Sequence, residues 1–229
     1  MTSRLAAALA GGILAIAPDS RPTGPHLIRR RRIVVGITLV LGATLLGFSL
    51  GVDPGNDAFY PLAVGTALVW MIGGVLSGPL RLGQMRGWRS AALPILLGLA
   101  AAGVFVLGAL VVREIGPLAH QVQGVLAFTR QGKLPIVLAV TAVSGVGEEV
   151  FFRGALFSAT RKFHPVAMSA ALYTLSTIAT LNIMLVFAAA LLSIVWGLQR
   201  RASGGVLAPI LTHVTWSLTM ALVLPSLFA

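Results

Sequence analysis

About seven stretches of this 229-residue chain are apolar over roughly the length a helix needs to cross a bilayer. They cover residues 33–51, 58–78, 91–112, 135–160, 166–181, 183–198 and 205–225. Inside lipid no water competes for backbone N–H and C=O groups, so each stretch must satisfy its own as a helix. The expected fold is therefore all-α, a polytopic transmembrane helix bundle of about seven spans. Composition agrees: 57% of the residues are hydrophobic and 10% are charged, against about 25% charged in an average soluble domain.

Basic residues set the orientation. Arg29 to Arg32, the triplet Arg81, Arg86 and Arg89, Arg161-Lys162 and Arg200-Arg201 all fall in alternate connections. Positive residues collect on the cytoplasmic side, so the N-terminus is expected inside and the C-terminus outside, with any polar site opening toward the cytoplasm. Arg113, Arg130 and Lys133 belong to 113–134, which reads as a surface segment with a short helix. Residues 5–17 are apolar but too short to span. They read as an interfacial helix, with a signal peptide as the alternative that Pro18 opposes. Residues 18–28 read as a loop. The net charge of +11 sits between spans and not on one polar face, which argues against a nucleic-acid partner. The absence of cysteine excludes a disulfide framework, a thiolate metal site and a cysteine nucleophile.

Asp19, Asp53, Asp57 and Glu114 fall in loops or at span ends. The two other acidic residues, Glu148 and Glu149, are adjacent inside a span and are followed by Arg153. A charge at mid-span costs about 2.5–3.5 kcal/mol, so intramembrane ionisable groups are functional candidates. Glu149 and Arg153 are four residues apart and share a helix face, where they can pair. Glu148 is turned about 100° away and is left to exchange a proton, as a general base does. The alternative is a buried ion network with a packing role only. Depth adds His213: at 1.5 Å per residue, Glu148 lies about 14 Å and His213 about 12 Å below the same membrane face. Ser217 is one turn further along the same helix face. Trp196 and Trp216 read as packing or lipid contacts, and His26, His120 and His164 receive no role.

Glu148-Glu149-x-x-x-Arg153, continued by Gly154, resembles the first motif of the CAAX-protease and bacteriocin-processing family of intramembrane endopeptidases. Gly204 to His213 resembles that family's third motif, with Ser217 where Asn is usual. Tyr173-x-x-x-Thr177 takes the place of the second motif, with Thr177 where a His is usual. The resemblance covers about 135–225. It divides the chain into a basic N-terminal segment (1–32), leading spans with a surface segment (33–134) and a family-like core (135–229). It implies a peptidase in which Glu148 activates water while Glu149 and Arg153 brace the helix. His213 would donate to the oxyanion, with Ser217 and Thr177 as auxiliary polar groups. The implied partner is a membrane-associated peptide or protein in the lipid bilayer, and the implied location is a bacterial inner or plasma membrane. A bound divalent metal is disfavoured, because zinc takes three protein ligands and only one glutamate and His213 are on offer. Two other readings stay open on the residues: a non-catalytic scaffold that binds a partner, and a transporter or channel with Glu148 as proton relay. The lack of an internal repeat argues against the last.

Overall fold

A computed structural model describes residues 24–83 and 88–228. The expected interfacial helix or signal peptide at 5–17, and Arg86, lie outside the described residues. The described chain is helical throughout. The long elements are α1 (Pro25–Gly51), α2 (Phe59–Leu76), α3 (Trp88–Val112), α4 (Gly116–Gln131) and α5 (Leu134–Glu148). α5 continues without a break as a π-helix (Glu149–Leu156) and a last α-turn, α6 (Phe157–Ala159). Then come α7 (Pro165–Thr177) with a 3₁₀ turn (Ile178–Thr180), α8 (Ile183–Ser203) and α9 (Leu207–Leu227).

Local sequence explains the starts and stops. α1, α4, α5 and α7 each carry a proline in the first turn, where the missing N–H is no loss and φ is already helical. α1 thus begins at Pro25, inside the stretch expected to be a loop. The extra turns are held because Arg30 donates to Leu76 O at 3.0 Å and Arg31 to Pro79 O at 3.0 Å. Asn182 caps α8, accepting from the amides of Met184 and Leu185. Gly204, with φ of 69°, ends α8 in the left-handed conformation that glycine adopts freely.

Among the described residues six helices are long and apolar enough to cross a membrane: Pro25–Gly51, Phe59–Leu76, Ser90–Val112, Leu134–Ala159, Ile183–Ser203 and Leu207–Leu227. The chain is a multi-pass membrane protein. The other expected span, 166–181, is shorter because α7 stops at Thr177, yet it still travels between the two ends of the bundle. At one end Arg32 sits over the Phe163 ring, just before α7. At the other, Ala179, just after it, packs against Gly47 near the end of α1. The first end gathers the start of α1, the end of α2, the loop at 79–83, the end of α8 and the start of α9, with Val206 N donating to Arg81 O at 2.9 Å. α4 lies at the opposite end as the expected short surface helix. There Asn182 Nδ2 donates to Gln121 O at 2.7 Å and Arg130 to Pro225 O at 2.8 Å.

The bundle turns residues such as Ile37, Val40, Leu96, Val104 and Leu107 outward, as lipid-facing surfaces require. Its interior is led by Trp70, Phe151, Phe152 and Leu156. The Trp70 ring lies 4.7 Å from that of Phe151 and 5.0 Å from that of Phe152. These rings pack around the π-helix, directly beneath the glutamate pair on the arginine-rich side.

Candidate active site

The π-helix is the local device that presents the polar residues. Its wider turns need donors from elsewhere, and two neighbouring helices supply them. Ser169 of α7 donates to Phe152 O at 2.9 Å, and Arg200 of α8 donates to Arg153 O at 2.8 Å. Ser158 completes the set on Gly154 O at 2.7 Å. π-segments inside helices recur at functional sites.

Glu149 and Arg153 are fully buried, and they pair as the four-residue spacing expects, Nη1 to Oε1 at 3.0 Å. The same Oε1 also accepts from His213 Nδ1 at 2.9 Å. A carboxylate held by arginine can only accept, so Nδ1 carries the proton and Nε2 points the other way. Nε2 faces Glu148 Oε2 at 3.9 Å. The structure therefore brings Glu148, Glu149, Arg153 and His213 into one cluster, with Glu149 between Arg153 and His213.

A guanidinium at this depth needs more than one partner. Arg153 donates from Nη2 to Ser193 O at 3.3 Å. It also lies 4.8 Å from the Tyr173 ring centroid and 5.2 Å from that of Trp196. Two aromatic faces and one carboxylate thus replace its hydration.

Four residues that the sequence reading left outside the site belong to it. Tyr173 donates its hydroxyl to Glu148 Oε2 at 2.6 Å, a length typical of a bond to a charged acceptor. Its signal was visible as the aromatic of the second motif. Trp196, read as packing or lipid contact, stacks on the His213 ring at 4.0 Å and 18°. Arg200 ties α8 to the π-helix as above. Trp216, also read as packing, lines the cavity with Trp196.

That cavity is small, about 150 Å³, and is lined by Glu148, Tyr173 and Thr177 among apolar residues from α1, α8 and α9. Thr177 keeps its hydroxyl on Tyr173 O at 2.9 Å. Ser217 is half-buried and is not among the lining residues. Leu46, Leu50, Thr180 and Leu185 show where the cavity leads: from Glu148 toward the arginine-poor end. The sequence reading expected the opening at the arginine-rich end, which it assigned to the cytoplasm. Phe151, Phe152 and Leu156 are buried on the arginine-rich side of the cluster.

The donors do not suit a resident metal ion. Glu149 Oε1 and His213 Nδ1 are engaged with each other, which leaves Glu148, His213 Nε2 and the buried Glu149 Oε2, and these do not converge on one point as zinc ligands must. Among the described residues no group of three or more His, Cys, Asp or Glu side chains is placed to hold one.

No curated protein and no solved structure matches the chain. Residues 130–219 match the family model for Rce1-like proteins, type II CAAX prenyl endopeptidase Rce1-like. That stretch holds every polar side chain of the cluster, and over it the chain is similar to the Rce1-like, type II CAAX prenyl endopeptidase family.

Proposed function

We propose that this protein is an intramembrane endopeptidase that hydrolyses a membrane-associated peptide with Glu148 as general base. The observation that carries the reading is the position of Glu148: it faces the cavity, with Tyr173 at 2.6 Å and His213 Nε2 at 3.9 Å from one carboxylate oxygen. Two carboxylates and one guanidinium sum to neutrality when His213 holds a proton on both ring nitrogens, a state of the cluster suited to apolar surroundings.

The steps follow from these atoms. Glu148 takes a proton from water as the water oxygen bonds to the scissile carbonyl carbon. The carbonyl oxygen gains the electron pair, and the Nε2–H of His213 and the Tyr173 hydroxyl are the nearest donors to it. Glu148 then gives its proton to the amide nitrogen as the C–N bond breaks, leaving a carboxylic acid and an amine. Glu149 and Arg153 keep the imidazole oriented. Ser217 and Thr177 serve as auxiliary polar groups at most one helical turn from His213 and Tyr173. The cell membrane, inner or plasma, is the proposed location.

A second reading, a non-catalytic binder that uses another surface of the same scaffold, draws on the cavity's size: 150 Å³ is far below the several hundred Å³ of ordinary ligand sites and leaves little room for a scissile peptide beside Glu148. One experiment separates the two. The full chain in lipid vesicles is given a membrane-tethered peptide. The peptidase reading expects cleavage that falls about 10²–10⁴-fold in Glu148→Gln. Binding without turnover, equal in both proteins, sinks it in favour of the binder.

A further inference from the structure

A second and larger feature lies outside the cluster. A groove of about 1040 Å³ follows the seam between α7 and α8. Its floor is made shallow by small side chains: Ala167, Ala170 and Ala171 on α7 face Ala190 on α8. From Pro165 to Ile178 it runs about 20 Å along the helix axis, somewhat more than one leaflet of a bilayer core about 30 Å thick.

The groove has a mouth of opposite character. Lys162, Arg200 and Arg201 line it at the arginine-rich end, together with Arg81 and Arg161. Among the described residues lining it there is no Asp or Glu. A basic mouth over an apolar trough of leaflet length is complementary to one class of molecule, an anionic amphiphile. A free phosphate would use the mouth and leave the trough empty. A neutral lipid would use the trough and bring no charge to the basic mouth.

We propose that the α7–α8 groove is a binding site for an anionic phospholipid, the headgroup phosphate between Lys162 and Arg201 and one acyl chain along Ala167, Ala171 and Ile178. The site is separate from the Glu148 cavity, which lies on the other face of α7, and it does not depend on peptidase chemistry.

Native mass spectrometry of the full chain in detergent tests this, with phosphatidylglycerol and phosphatidylcholine of identical acyl chains titrated in parallel. Phosphatidylglycerol is expected to bind the more tightly. The double variant Lys162→Gln/Arg201→Gln should weaken phosphatidylglycerol by about 30-fold, the sum for two surface cations, and leave phosphatidylcholine unchanged. Ala171→Trp places an indole in the trough at an exposed position and should weaken both lipids, while its unfolding temperature shows that the bundle is intact. Equal binding of the two lipids to the unmodified chain overturns the proposal, as does a preference that survives the double variant. Displacement of phosphatidylglycerol by the same concentration of inorganic phosphate reduces the groove to an anion site and also overturns it. A lipid-free dimer that Ala171→Trp dissociates would assign the groove to a second copy.

Discussion

Tyr173 and Glu149 serve the same imidazole and carboxylate from two sides, and their removal should read differently. Tyr173→Phe keeps the ring that covers Arg153 and loses only the hydroxyl on Glu148. Peptide hydrolysis should fall about 10²-fold, as for one oxyanion donor, with little change in unfolding temperature. Glu149→Gln leaves a fully buried guanidinium without its counter-charge and should cost about 3–5 kcal/mol of stability. Thermal unfolding of the two variants, set beside their kcat values, checks the contrast. An equal loss of stability in both would contradict it. The ion pair and the approach of His213 were legible in the sequence, because spacing and rise along a helix are local properties. The partners of Tyr173 and Trp196 were not, because they depend on how α7 and α8 rotate against the π-helix. Nothing in either residue's neighbourhood records that rotation.

Among the elements, the backbones of α5 and α2 come into close contact just before the glutamates. A Cβ on Gly147 would lie 2.7 Å from Ala67 O and 3.2 Å from Ala67 Cα, both backbone atoms that cannot swing aside. Gly147→Ala should therefore part the two helices, cost about 1–3 kcal/mol and displace the neighbouring Glu148. Gly103→Ala, in α3 where no atom lies within 4 Å, should be neutral or slightly stabilising. Thermal unfolding of the pair measures this, and equal melting would refute the close-approach argument. The π-helix itself was unreadable from sequence. Glu149–Leu156 contains nothing that an α-helix would refuse, apart from the mild cost of Gly154. Its register is set from outside by Ser169 and Arg200. The helix ends were easier, because proline in a first turn and Gly204 after α8 act within a few residues.

For the whole molecule, the sequence carried the helical bundle, since apolar length is a global constraint, although six helices among the described residues, not about seven, are long and apolar enough to cross a membrane. It did not carry the direction in which the cavity extends, which is decided by how the buried side chains pack. The two ends of the bundle can be assigned chemically, because the chain has no native cysteine. Lys162→Cys and Asn56→Cys, at exposed positions on opposite ends, should react with an impermeant maleimide from opposite sides of sealed cells. The arginine pattern expects Asn56→Cys to be modified from outside and Lys162→Cys only after lysis. Modification of both from one side would contradict the crossing pattern. The stacking of Trp196 on His213 at 4.0 Å reaches beyond packing. A charged imidazole accepts an electron from an excited indole far more readily than a neutral one does. The emission of a single tryptophan thus carries an optical record of whether the imidazole holds its second proton, present before any substrate arrives and requiring no label.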